Sequence, residues 1–120
     1  MPVDLGFLID ASGSIGPSNF LKILSFVAKI IDAFEIGPDK THVGVISYSD
    51  NATIAFDFNE FKGNELTKKN VIDKVNTITS TEGKTRIDLA LKLANSDLFS
   101  KKGGMRPDKP KVLSSFHSLL

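Results

Sequence analysis

The chain has 120 residues, 41% of them hydrophobic and 24% charged, a length that accommodates one domain and is too short for two. Fifteen basic residues against fourteen acidic ones leave a formal charge of +1, which gives nucleic acid or an anionic membrane no electrostatic hold. There is no cysteine, so disulfides, thiolate catalysis and cysteine-type zinc sites are excluded, while the redox compartment stays open.

Met1-Pro2 leads into an apolar run without a charged leader or cleavage site, so no signal peptide is expected in this chain. No stretch approaches the roughly 20 apolar residues of a membrane span, and no membrane insertion is expected. Val3 to Ile9 is almost continuously apolar, the pattern of a central strand buried on both faces, and Asp10 ends it. Gly13, Gly16 and Pro17 mark a loop, after which Phe20, Ile23, Leu24, Val27, Ile30, Ile31 and Phe34 recur at helical spacing. Pro17 suits the first turn of that helix and Gly37-Pro38 its stop.

Val43 to Tyr48 reads as a second strand. Ala52 to Phe58 alternates at period two, and the short polar turn at Asp50-Asn51 predicts a hairpin with an antiparallel edge strand. Leu66, Val71, Ile72, Val75 and Ile78 fit a second helix; Ile87, Ala90, Leu91, Ala94 and Leu98 fit a third that begins at Thr85. Lys101, Lys102, Arg106, Lys109 and Lys111 are interrupted by Gly103, Gly104, Pro107 and Pro110 and read as a solvated loop. Val112 and Leu113 begin a fourth strand. The order predicts an α/β fold, a doubly wound, mostly parallel sheet covered on both faces, whose ligands bind beyond the carboxyl ends of the strands. Asp10 stands at such an end.

Asp10-Ala11-Ser12-Gly13-Ser14 places a carboxylate and two hydroxyls at alternate positions of a loop in which Gly13 permits a bend. Oxygen-only donors suit a hard cation such as Mg²⁺. The same residues also read as ordinary turn formers with Asp capping the next helix. Thr85 has two readings as well, since Thr85 with Asp88 is a capping-box pattern that needs no ligand. A phosphate-binding loop is excluded at Gly83-Lys84-Thr85, because its first glycine would fall on Ile78. Asp10 as a phosphotransferase nucleophile lacks the second carboxylate that such chemistry wants, position 12 being Ser12. His42 and His117 have no catalytic partner at local spacing. Asn51-Ala52-Thr53 is an acceptor triplet for an N-linked glycan in the predicted hairpin turn.

The run from Val3 to Ile9 followed by Asp10-Ala11-Ser12-Gly13-Ser14-Ile15-Gly16 resembles the first strand and metal loop of von Willebrand factor A domains, in particular those of collagen- and matrilin-like matrix proteins. Val43 to Ser49 resembles the second strand of that family, and Gly83 to Leu91 its second metal loop with the helix after it. The resemblance covers residues 3 to 113, the amino-terminal part of such a domain. It implies a Rossmann-like fold, here carboxy-terminally truncated, with Ser12, Ser14 and Thr85 coordinating Mg²⁺ or Mn²⁺ through hydroxyls and Asp10 acting through water or by orienting the serines. It further implies a non-enzymatic, extracellular adhesion module whose metal recognises a Glu or Asp of a matrix or cell-surface protein.

The family closes its metal site with the Asp of a Thr-Asp-Gly run after the fourth strand, and that position here is Ser118, which implies a weakened site. On this reading residues 1–113 form a partial domain and 114–120 a divergent tail, the product of an alternative splice form, a frameshift or an incomplete gene model. Weak stability is the corresponding expectation. The alternatives to adhesion are a truncated, metal-binding-deficient fragment and a metal-dependent phosphotransferase or hydrolase.

Overall fold

Every residue of the first strand is buried, the environment that its almost continuously apolar run requires. The computed structural model describes residues 2–13, 15–81 and 83–116; Ser14, His117 and Ser118 lie outside them. Strand β1 (Asp4–Asp10) is central, hydrogen-bonded in parallel to β2 (His42–Tyr48) on one side and to β4 (Lys111–Phe116) on the other. Strand β3 (Ala52–Phe56) adds an antiparallel edge to β2, giving the order β3-β2-β1-β4. The expected α/β class, with its parallel sheet and antiparallel hairpin, is the one observed.

Helix α1 (Pro17–Asp32) begins at its proline, as expected, and buries Phe20, Leu24, Val27 and Ile31. Those four residues share one helical stripe, which packs with Phe7, Ile9 and Val45 from one face of the sheet. Helix α2 (Lys68–Val75) joins the same core through Val71 and Val75. It is shorter than the spacing from Leu66 to Ile78 predicts, because Thr67 caps it by accepting the Asn70 N–H at 3.1 Å. On the opposite face, helix α3 (Ile87–Leu93) runs on into a π-helical turn, Ala94–Leu98. Ala90, Ala94 and Leu98 pack there against Leu8, Ile46 and Tyr48. This close approach requires glycine in the sheet: a Cβ on Gly44 would stand 2.7 Å from Leu98 Cδ1.

Further boundaries differ from expectation. Strand β3 stops at Phe56 rather than Phe58, because the Phe58 N–H leaves the sheet to bond the Gly103 carbonyl at 2.9 Å. Helix α3 starts at Ile87 rather than Thr85, with Arg86 as the capping residue and no side-chain cap. Strand β4 continues through Ser114, Ser115 and Phe116, whose ring meets Phe7 and Phe26 at centroid distances of 5.8 and 5.6 Å.

The basic loop before β4 is also only partly as expected. Lys101, Lys102 and Lys111 are exposed, but Arg106 is pinned to Asp4, which is wholly buried. Its Nε donates to Asp4 Oδ1 at 2.8 Å, its backbone N–H to Oδ2 at 2.7 Å and its Nη2 to the Val3 carbonyl at 3.0 Å. An ionised buried carboxylate is tolerated only with partners of this kind.

Candidate metal-binding site

The chain leaves β1 through α1 to β2 on one side and comes back from β3 through α2 and α3 to β4 on the other, so the connections diverge at the carboxyl end of β1, the switch point of the sheet. Asp10 occupies that end, 1% exposed, and the loop that follows it turns back at once. Asp10 Oδ1 accepts the Ser12 N–H at 2.9 Å, a bond that fixes the direction in which Ser12 leaves the strand. Ser12 is itself fully buried.

A second loop, residues 79–86, lies against the first. The Ala11 carbonyl accepts both the Thr81 N–H and the Ser80 hydroxyl at 3.1 Å, and the Gly13 N–H donates to the Gly83 carbonyl at 3.2 Å. These bonds bring Thr85 to Ser12 across 73 residues of chain, its Oγ1 donating to Ser12 Oγ at 3.1 Å. The structure thus gathers Asp10, Ser12 and Thr85 in one place. Thr85 does not cap α3, and Asp88 does not complete a capping box, because its carboxylate is bonded by Arg86 Nε and Nη2, both at 2.9 Å. Those bonds from Arg86 hold the Asp88 carboxyl down at about 2.

The turn between β2 and β3 supports the second loop, in a role that no local spacing signals. Ser49 Oγ and Thr81 Oγ1 are 2.7 Å apart, the Ser49 carbonyl accepts the Arg86 N–H at 2.9 Å, and Asp50 Oδ1 accepts the Lys84 N–H at 2.8 Å. Gly83 sits at φ +91°, and a Cβ there would stand 2.7 Å from Asp50 Oδ2. Each partner is distant in sequence, so the polar character of Ser49 and Asp50 was their single visible signal.

Tyr48 lies beside Asp10 in strand register, on the α3 face. Burial, reinforced by the Asp10 negative charge, pushes the phenol up to about 12, while the neighbouring Ser115 draws it partly back. Among the described residues its hydroxyl is buried without a partner in hydrogen-bonding geometry. His42 Nε2 lies 2.9 Å from the Pro38 carbonyl.

The assembled donors are oxygens, one buried carboxylate and two hydroxyls, the set that a hard divalent cation accepts. Among the described residues no group of three or more His, Cys, Asp or Glu is gathered. Nor is any helix of the described residues long and apolar enough to cross a membrane.

Known proteins of similar sequence and structure identify the family of the domain. The chain is 37% identical over 113 residues to the human (Homo sapiens) collagen alpha-1(XX) chain, covering 94% of this chain and 8% of that one. It is 34% identical over 111 residues to human matrilin-3, covering 92% of this chain and 22% of the relative. It thus spans a small part of the curated relatives that it matches. A solved structure of proximal thread matrix protein 1 from the mussel byssus, described with a zinc-occupied MIDAS motif, superposes with a TM-score of 0.82 at 28% identity. That match covers 94% of this chain and 28% of the byssus protein. The family model of the von Willebrand factor type A domain matches residues 4–114, and the chain belongs to that family.

Proposed function

We propose that this domain is a metal-dependent protein-binding module of the matrix type, in which Ser12, Ser14 and Thr85 hold a divalent cation through hydroxyls and Asp10 orients the set. The observation that carries the reading is the 3.1 Å approach of Thr85 Oγ1 to Ser12 Oγ over a buried carboxylate. A hydroxyl drawn across 73 residues to another hydroxyl, in place of capping its own helix, has a use when a third atom is shared between them. The byssus protein, whose MIDAS motif holds zinc, is a precedent for metal on this fold. In this chain Mg²⁺ or Mn²⁺ is the expected ion, since the donors are hard oxygens.

The chemistry supplied by such an ion is a positive charge that neutral hydroxyls leave largely uncompensated, ready to accept a carboxylate. A Glu or Asp on a matrix or cell-surface protein is the partner group that this charge selects. The residues around the site favour binding over catalysis. Asp10 is 1% exposed and its Oδ1 is already engaged by the Ser12 N–H, so it is poorly placed to attack a substrate.

The test is calorimetric titration of Mg²⁺ and Mn²⁺ into the domain and its Ser12→Ala and Thr85→Ala variants. Saturable binding is expected, weakened about 10-fold or more by either substitution, accompanied by an ion-dependent rise in Tm that both variants lose. Thr85→Ser, which keeps the hydroxyl, should restore most of the affinity. If the folded wild-type domain shows neither heat nor a melting shift, the metal-deficient alternative stands instead.

A further inference from the structure

We propose that Asn51 is an N-glycosylation site, and that its glycan stands at the rim of the metal-loop face. Of the seven asparagines, Asn51 is the one followed by the acceptor pattern, Asn51-Ala52-Thr53. The structure separates it from the others in a second way. Asn51 and Thr53 are both exposed in the turn and first residues of the β2–β3 hairpin. Both line one open cleft of about 250 Å³ beside Ser49 and Thr81.

Neither side chain is engaged in a hydrogen bond within the described residues: the Asn51 contact is made by its backbone carbonyl, which accepts the Ser49 N–H at 2.9 Å. By contrast, the Asn59 and Asn70 side-chain amides are tied to the carbonyls of Lys102 and Glu65 at 3.1 and 2.8 Å. Asn51 therefore presents a free amide nitrogen in the turn, with a free, exposed hydroxyl two residues on at the start of the edge strand β3.

The step is a group transfer from a lipid-linked oligosaccharide diphosphate. Asn51 Nδ2 attacks the anomeric carbon, the C–O bond to the diphosphate breaks as the C–N bond forms, the amide gives up one proton, and the lipid diphosphate leaves. No oxidant or reductant is needed. Entry into the secretory path is required, and in this one respect the inference rests on the matrix-type reading.

The location follows from the hydrogen bonds that hold the turn. Asp50 Oδ1 bonds the Lys84 N–H at 2.8 Å, so Asn51 and Thr85 each stand one residue from that bond. At 3.8 Å per Cα step their backbones lie within about 15 Å of each other. A glycan on Asn51 thus covers one side of the approach to Ser12 and Thr85, and leaves a small ion free to enter while limiting the size or direction of a protein partner.

The test is secretion of the chain, behind a cleavable leader, from a eukaryotic cell, followed by intact mass and peptide mapping before and after peptide-N-glycosidase. One glycan is expected at position 51, lost in both Asn51→Gln and Thr53→Ala and kept in Thr53→Ser. An unmodified Asn51 in secreted, folded protein overturns the proposal. Tryptic cleavage after Lys84 and Arg86 should be severalfold slower in glycosylated than in deglycosylated protein, with cleavage after Lys101 unchanged. Equal rates at all three would remove the glycan from the metal-loop rim. Calorimetry with Mg²⁺ on the same two samples reads the metal site independently, so either reading can fail alone.

Discussion

Tyr48 offers a direct look at the environment of Asp10. It is the sole tyrosine of a chain without tryptophan, so phenolate absorbance in the near ultraviolet reports this one group. With the folded phenol pushed up to about 12 from 10.0, the protonated form is favoured by the fold. Stability is then fully present below pH 10 and is lost as pH rises towards 12, by an amount on the order of 2 kcal/mol. Spectrophotometric titration of the folded protein should give a midpoint near 12 that falls towards 10 in denaturant. Tyr48→Phe should remove that share of the alkaline loss. A folded-state midpoint at 10 would mean that neither burial nor Asp10 acts on the ring. At the same scale lies the hardest residue to read from sequence, Thr85. A hydroxyl ahead of a helix serves as a cap or as a ligand with equal local logic. The bond to Ser12, which no window around Thr85 contains, takes the hydroxyl away from the cap.

Among the elements, strands and helices were legible and their ends were not. The apolar run of β1 and the stripe of α1 state their burial through period alone, and both formed where expected. The ends depended on single long-range bonds, such as the Phe58 N–H to the Gly103 carbonyl. The loop of residues 79–86 is the extreme case, since it has no periodicity and its shape is dictated by the β2–β3 turn. Gly83→Ala tests that dependence. The new methyl meets two obstacles at once, a left-handed φ of +91° and the Asp50 carboxylate, whose other oxygen receives the Lys84 N–H. Gly63 has a left-handed φ of +55° with open space around it, so Gly63→Ala meets the first obstacle without the second. Chemical denaturation should show a loss of about 1 kcal/mol for Gly63→Ala and about 2–3 kcal/mol for Gly83→Ala. Gly83→Ala should also weaken Mg²⁺ binding, which Gly63→Ala should leave unchanged; equal costs would mean that the Asp50 contact does not hold the loop.

Across the whole molecule, β1 connects two polar clusters with different duties. Its carboxyl end carries the candidate metal site, and its amino end carries Asp4, bonded to Arg106 from 102 residues away. Six strand steps put them about 20 Å apart. Arg106 looked like one more loop cation in sequence because its neighbours are glycine, proline and lysine, and because a buried carboxylate cannot be recognised from the apolar residues around it. The same bridge ties the segment before β4 to the start of β1, where the Asp4 N–H also donates to the Pro110 carbonyl at 2.9 Å. It therefore closes the sheet at the end remote from the site. Arg106→Ala leaves the Asp4 charge buried without its counterion, and removing one partner of such a pair costs about 3–5 kcal/mol. Asp4→Asn paired with Arg106→Ala should recover part of that loss, because no buried charge is then left over. Equilibrium unfolding of the two singles and the double variant measures the coupling. Mg²⁺ titration on whatever fraction remains folded should give the wild-type affinity. A full stability loss with an equal loss of metal affinity would show the two ends of β1 to be one cooperative site, and a negligible stability loss would show Arg106 to be the loop cation its neighbours suggest.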